Sequence, residues 1–295
     1  MKKIDIGEIK DTICQLALEA NFVLRRDIYR ALNKAYLNED SERARGLLKI
    51  LIENAKIAKK EKFPICQDTG MVVVFLKIGE EIEICGGDLI KAINEGVRKA
   101  YKKGYLRKSI CEPLSRLNTH DNTPAVVYVD MVKGDNLEIK LCIKGFGAEN
   151  KSQIKMFEPT AKLKEIKGFI IKVVKEAGPD ACPPFVVGVG MGGTFEKAAI
   201  LAKEATLLEI RNPRPFRASL TQQRWVAKSE TRNEIKKLEE ELYAEINKLD
   251  IGPMGLGGKT TCLGVNILTF PTHIAGLPVA VNISCHATRS ATKTL

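Results

Sequence analysis

Four segments each set a cysteine or a histidine beside small and polar residues at the end of an apolar run: PICQDTGM at 64–71, DACPPFVVGVGMGGT at 180–194, GPMGLGGKTTCLGV at 252–265 and PTHIAGLPVAVNISCHATR at 271–289. Strand ends with glycine turns are where the backbone comes close to ligands and where reactive side chains concentrate. Cys66 is followed by Gln67, Asp68, Thr69 and Gly70; Cys182 by two prolines that restrain the backbone entering the GVGMGGT turn; Cys285 by His286. Three such thiolates could hold three irons of a cubane cluster. An iron without a thiolate would then be an open Lewis-acid position for a substrate hydroxyl and carboxylate. Cys262, in GGKTTCLG, competes for the third place, and spacing alone leaves the choice open.

The remaining cysteines read differently. Cys14 falls at a core-facing helix position and Cys85 in a short strand, while Cys142 alternates with Leu141 and Ile143, which point to the opposite face. Cys111, before Glu112 and Pro113, is undecided. No C-x-x-C occurs, which disfavours zinc ribbons, thioredoxin-like motifs and ferredoxin-type clusters. Eight cysteines spread over the whole length argue for thiols and metal ligands rather than a disulfide framework.

The elements that must position these groups follow from periodicity. Ile9, Ile13, Leu16 and Ala17, then Leu47, Leu48, Leu51 and Ile52, recur at helical spacing and predict a helical segment over 1–62. From Met71 the pattern turns β-rich, with MVVVFLKI, AVVYVDMV at 125–132 and LEIKLCIKG at 137–145; Lys133-Gly134-Asp135-Asn136 predicts a hairpin between the last two. Helices are expected over 160–177, 195–210 and 233–249, and strands at FVVGVGMGG, LGVNILTF and PVAVNISC. RNPRPFR at 211–217 reads as an exposed connector. The expected fold is α+β, a helical N-terminal segment packed with a mixed or antiparallel sheet lobe (63–295) that carries the site, in a single catalytic domain over 1–295.

With 295 residues, 44% of them hydrophobic, the chain can bury a sizeable core. The charged opening MKKIDIGEIKDTICQ is unlike a secretion signal, and no run approaches the roughly 18 apolar residues a membrane span requires, so a cytoplasmic protein without membrane contact is expected. The net charge of +11 is scattered among glutamates, as in NEIKKLEEELYAEINK, with no basic block interleaved with aromatics; nucleic-acid binding is not expected. Such a charge can instead steer anionic substrates. GVGMGGT resembles half a dinucleotide fingerprint but lacks the βαβ context and the spaced acidic residue.

ICQDTG, LRKSICEPLSRLNTHDNTPA, KGFGAENKS, ACPPFVVGVGMGGT, GLGGKT and SCHATR, in this order, resemble the class I fumarate hydratase and L-tartrate dehydratase family, in its alpha subunit or N-terminal half. The resemblance implies an oxygen-sensitive [4Fe-4S] cluster whose ligands match Cys66, Cys182 and Cys285, with Cys262 a neighbour. It also implies a dicarboxylate held by Gln67, Asp68, Arg107, the turn glycines Gly145 and Gly147, and His273. Many relatives carry three glycines at that turn, where this chain has Gly145-Phe146-Gly147.

Removing water from such a substrate means taking a weakly acidic proton beside a carboxylate and expelling hydroxide. Arg107 can grip a carboxylate through its fork, and Asp68 and His273 are the candidates for proton transfer or hydroxyl orientation. The competing readings are a turn cap for Asp68, a surface charge for Arg107 and a satisfied strand-end residue for His273. The family's remaining binding and proton-abstracting residues lie on a further domain with a Lys-Gly-Ser-Thr-type motif, which this sequence lacks. The implied unit is an alpha–beta pair, dimerised to an alpha2beta2 heterotetramer. Reversible hydration of fumarate to (S)-malate is the first expectation and L-tartrate dehydration the alternative. A non-catalytic iron–sulfur sensor is a third reading.

Overall fold

The computed structural model describes residues 1–210 and 229–295; the connector expected at 211–217 lies outside them. In chain order the elements are β1 (Lys2–Asp5), α1 (Ile6–Phe22), α2 (Arg26–Asn38), α3 (Glu42–Glu61), β2 (Met71–Gly79), β3 (Ile82–Cys85), α4 (Leu89–Lys103), β4 (Val126–Val132), β5 (Leu137–Lys144) and α5 (Phe146–Glu149). They continue with β6 (Gln153–Phe157), α6 (Leu163–Ala177), β7 (Phe185–Gly192), α7 (Phe195–Thr206), α8 (Ser229–Asn247), β8 (Cys262–Phe270), β9 (Leu277–Ser284) and β10 (Arg289–Thr294). The fold is α+β, as expected. The chain divides into two compact units, one of Met1–Arg25, Asn54–Phe146 and Arg289–Leu295, the other of Arg26–Glu53 and Gly147–Thr288. The N-terminal helices therefore form no body of their own: α1 belongs to the first unit and α2 to the second, and the division falls within α3.

The first unit is built on a sheet of order β10-β5-β2-β4. On β2 and β5 the two-residue period sends Val72, Val74, Leu76, Leu137, Ile139 and Leu141 to one face, where Ile9 and Ile13 of α1 and Val97 and Tyr101 of α4 cover them. Cys14 is buried in this core and Cys142 lies on the opposite strand phase from Leu141 and Ile143, as their periodicities predict. Asp5 starts α1 by accepting from the Gly7 amide (2.7 Å), and Asp88 starts α4 by accepting from the Lys91 amide (2.8 Å).

The hairpin expected at 133–136 does not form. β4 pairs parallel with β2 and β5 pairs antiparallel with β2, so β2 lies between them. β2, which carries the unbroken apolar run, takes an interior place in the sheet, where its backbone groups are met by a strand on each edge. The 133–136 turn instead meets the end of β2, where the Gly79 amide donates to Asn136 O (3.0 Å) and the Glu80 amide to Val132 O (2.7 Å).

The second unit has a sheet of order β6-β9-β7-β8, with β7 parallel to β8 and antiparallel to β9. Val187 and Val189 pack with Ile170 and Val174 of α6 and Leu242 of α8. On the other face α7 comes close enough that a Cβ on Gly188 would stand 2.1 Å from Ala202 O, and one on Gly190 2.1 Å from Ala198 O. Gly188 and Gly190 are thus what lets the α7 backbone lie against β7.

Candidate active site

In the first unit PICQDTGM is the loop that enters β2, and it is tied down from several directions. The Ile65 amide donates to Asn21 O (2.9 Å) and Asn54 Nδ2 donates to Ile65 O (2.9 Å). Tyr101, fully buried, donates its hydroxyl into the Thr69 and Gly70 carbonyls, the latter at 3.0 Å. Burial pushes the Tyr101 hydroxyl well above the usual phenol range, so it serves as a neutral donor. Asp68 is half-buried; its Oδ1 accepts from the Gly70 amide (2.9 Å) and its Oδ2 from the Phe146 amide (2.8 Å). The KGFG turn is thereby pinned to the CQD loop through the carboxylate. Gln67 is exposed and Cys66 is half-buried, its Sγ 3.4 Å from Gln67 Oε1.

Arg107 joins the same neighbourhood through its main chain, because Thr69 Oγ1 donates to Arg107 O (2.7 Å); its side chain is exposed. The segment after it is held by an unforeseen residue. Asn122 is fully buried at a positive φ of 63°, accepts from the Ser109 amide (2.8 Å) and donates to Gly70 O (3.2 Å). Asn tolerates this backbone region better than most residues. Asn118 adds a bond from its Nδ2 to Lys108 O (2.9 Å). The polar NTHDNTP run is therefore a brace that fixes Arg107 relative to Asp68.

Asp121 stabilises that brace. Its Oδ1 accepts from the Thr123 amide and hydroxyl (3.0 and 2.7 Å), and its Oδ2 from Arg98 Nε (2.8 Å). Burial pushes the Asp121 carboxyl up, yet the Thr123 and Arg98 contacts outweigh it and hold the carboxyl down at about 2. A carboxyl depressed in the folded state adds stability above its ordinary value near 3.8 and loses that contribution as the pH falls toward 2. Urea midpoints of the full chain are expected to drop between pH 5 and pH 3, and to drop less in Asp121→Asn. An unchanged slope in that variant would refute the assignment. The partly exposed setting keeps the effect modest.

In the second unit Cys182 and Cys285, both half-buried, stand at the same end of one sheet, since Val186 of β7 pairs with Ser284 of β9. Cys182 adopts a positive φ of 55° after the Pro179–Ala181 turn. Its carbonyl accepts from the His286 amide (3.3 Å) and lies 3.1 Å from His286 Nδ1, which joins the two cysteine segments. Thr288 Oγ1 donates to Cys285 O (2.8 Å). The Met254 amide donates to Pro183 O (2.9 Å), so the GPMG turn supports the same corner.

Cys262, the rival from spacing, is completely buried in the core shared by β7, β9 and α8. Asn247 Nδ2 approaches its sulfur at 3.7 Å, and burial pushes its thiol far above the usual range. A neutral, packed thiol is a poor metal ligand. His273 lies elsewhere. It is exposed in the turn between β8 and β9, accepts from the Ala275 amide (3.1 Å), and sits beside Gly193 through Thr272. The whole length of β9, roughly 25 Å for eight residues, separates that turn from Cys285.

The candidates are therefore distributed. Cys66, Gln67, Asp68, Arg107 and Gly145 belong to the first unit; Gly147, Cys182, Cys285 and His273 belong to the second. Among the described residues no three His, Cys, Asp or Glu side chains gather as they would around one metal ion. A cluster makes a looser demand, because each thiolate binds a separate iron. No disulfide engages any of the eight cysteines, and Cys66, Cys182 and Cys285 are each partly exposed at a loop or strand end, as thiolate donors have to be. No described helix is long and apolar enough to cross a membrane.

Over residues 10–294 the chain matches the model of the fumarate hydratase (Fumerase) family. It is 40% identical over 294 residues, 97% of each chain, to a Methanocaldococcus jannaschii protein named "Putative L(+)-tartrate dehydratase subunit alpha". It is 30% identical over 297 residues to the L(+)-tartrate dehydratase subunit alpha of Escherichia coli strain UTI89, covering 99% of this chain and 92% of that one, and 29% identical over the same span to its counterpart in Shigella sonnei. The braced CQD loop, the clamped KGFG turn and the paired cysteine segments thus sit in a chain that belongs to the fumarate hydratase family and is a hydro-lyase.

Proposed function

We propose that this chain is the cluster-bearing alpha subunit of an iron–sulfur hydro-lyase for a small hydroxy-dicarboxylate, with L(+)-tartrate ahead of the fumarate and (S)-malate pair. The observation that carries the substrate is the near full-length similarity to relatives named for tartrate dehydration. This reverses the order expected from the sequence, whose motifs are shared by both activities. In this reading Cys66, Cys182 and Cys285 hold a [4Fe-4S] cluster. When bound, the cluster supplies a Lewis-acid iron for the departing hydroxyl.

The protein's own groups do the rest. Arg107, exposed at the head of a rigid brace, receives a substrate carboxylate through its fork, and Gln67 donates to the same anion. Asp68 is held by two amides at a fixed angle, as a group that orients the hydroxyl or moves a proton has to be. The Gly145 and Gly147 main chain offers close approach to the substrate. His273, a full strand length from Cys285, acts on substrate at a site other than the one at the Cys285 end of β9. A beta subunit supplies the remaining carboxylate and proton-abstracting groups in an alpha2beta2 assembly, in a cytoplasmic setting that keeps thiols reduced.

The test is anaerobic reconstitution of the full chain with iron, sulfide and the candidate beta subunit, followed by kcat/KM on L(+)-tartrate, fumarate and (S)-malate. We expect a brown protein with L(+)-tartrate preferred by about tenfold or more, the discrimination that one well-placed hydroxyl contact gives. A preference for fumarate would restore the other substrate, and a colourless, inactive complex would end the reading.

A further inference from the structure

Arg289 is a cation removed from water. It is 2% exposed, opens β10, and pairs through its main chain with Ile143 of β5. A buried guanidinium is costly unless its charge and its N–H groups are answered, so its surroundings report its task. Nη1 donates to Asn21 Oδ1 (3.2 Å), and Asn21, itself fully buried in α1, also receives the Ile65 amide on its carbonyl. Nε has no hydrogen-bond partner among the described residues. Nη2 lies 3.1 Å from the point that a Cβ on Gly145 would occupy, and Asp68 Oδ2 lies 3.1 Å from that same point. Guanidinium and carboxylate thus flank one bare glycine, at most about 6 Å apart.

The two carboxylate oxygens of Asp68 are engaged by the Gly70 and Phe146 amides, neither of which carries a net charge. A full positive charge in a poorly screened interior adds a directional pull that amides alone lack. Gly145 leaves the path between the two charged groups clear, and any side chain there would meet both. Arg rather than Lys suits the place, because one planar group can bond Asn21 with one nitrogen and turn another toward Gly145.

We propose that Arg289 is a positioning residue: its buried guanidinium, anchored to α1 through Asn21, holds the Asp68 carboxylate against the Gly70 and Phe146 amides. The CQD loop and the KGFG turn then present Asp68 in one orientation. The consequence for turnover rests on the reading of Asp68 as a substrate-facing group; the consequence for the loop does not.

The experiment uses the full chain with Arg289→Met and Arg289→Lys, read first by amide hydrogen exchange. In Arg289→Met the Gly70 and Phe146 amides are expected to exchange about tenfold faster or more, while the Val72–Leu76 amides of β2 keep their protection. Arg289→Lys is expected to recover part of the difference. In the reconstituted alpha–beta complex, kcat is expected to fall about tenfold or more with KM changed less than about threefold and cluster absorbance retained. In an Asp68→Asn background the same replacement is expected to cost nothing further, as for residues acting through one another. Unchanged exchange at the two amides, equal acceleration throughout β2, additive losses, or a kcat that merely tracks cluster content would each overturn the proposal. A wild-type complex without turnover but with the expected exchange pattern would refute the hydro-lyase assignment of Asp68 and leave the positioning role standing. If Arg289→Met does not fold, the Lys variant decides through the same exchange ratio and double-replacement comparison.

Discussion

Cys285→Ser is expected to abolish turnover, by about a thousandfold or more, and to remove the visible absorbance of the reconstituted complex, while Cys262→Ser keeps both. On the proposed reading of Cys285 as a cluster ligand, the magnitude follows from losing a Lewis acid that would contribute several kcal/mol to expelling hydroxide. Cys285 stands at a strand end, partly exposed, with its segment joined to that of Cys182 by His286. Cys262 is sealed in the core between β7, β9 and α8, where a thiol behaves as a small apolar group. Its replacement by serine is expected to cost about 1–3 kcal/mol of stability through burial of a hydroxyl, read as a lowered denaturation midpoint. Iron content, absorbance and activity measured together decide the matter. A cluster that survives Cys285→Ser but not Cys262→Ser would exchange the two assignments.

Asp68→Asn is expected to lower kcat by about 10²–10⁴, the span typical of a positioned proton-transfer group, with a small change in KM. Two effects combine. The carboxylate accepts from the Gly70 and Phe146 amides with separate oxygens, and an amide side chain has a single oxygen to offer. One of the two main-chain donors then faces an NH2 group, so the KGFG turn is released from the CQD loop at a cost of about 1–3 kcal/mol. If the loss appears mainly in KM, Asp68 binds substrate rather than serving the chemical step. A variant as active as wild type would reduce Asp68 to a turn cap, the reading that competed with it at the outset. The double role is itself informative, because here the cap and the candidate reactive group are one carboxylate.

The sequence was legible where local rules govern. The apolar run VVVFL, the alternation in LEIKLCI and the helical spacing around Ile9 and Ile13 named elements that the structure buries. It failed at strand order. The Lys-Gly-Asp-Asn signal between β4 and β5 argued for a hairpin, but a turn signal carries no information about which third strand needs two neighbours, and β2 intervened. Asn122 and Tyr101 were also out of reach, because nothing in an isolated Asn or Tyr distinguishes a brace from a surface residue until its partners converge on the Gly70 carbonyl. Arg289 was hidden for the same reason: its neighbours Asn21, Asp68 and Gly145 lie far from it along the chain.

By itself, then, the sequence determined the chemistry on offer. It set eight cysteines with no close pairs, a carboxylate and an amide directly after Cys66, and motifs in an order that carried the family. Tertiary structure decided which of those groups are available. Burial makes Cys262 a core thiol, and the antiparallel pairing of β7 with β9 brings Cys182 and Cys285 to one sheet end while sending His273 to the other. The physical reason is that residue type and spacing act over a few positions along the chain. Solvent exposure, partner distance and the field of a buried charge such as Arg289 arise only when distant segments are packed together.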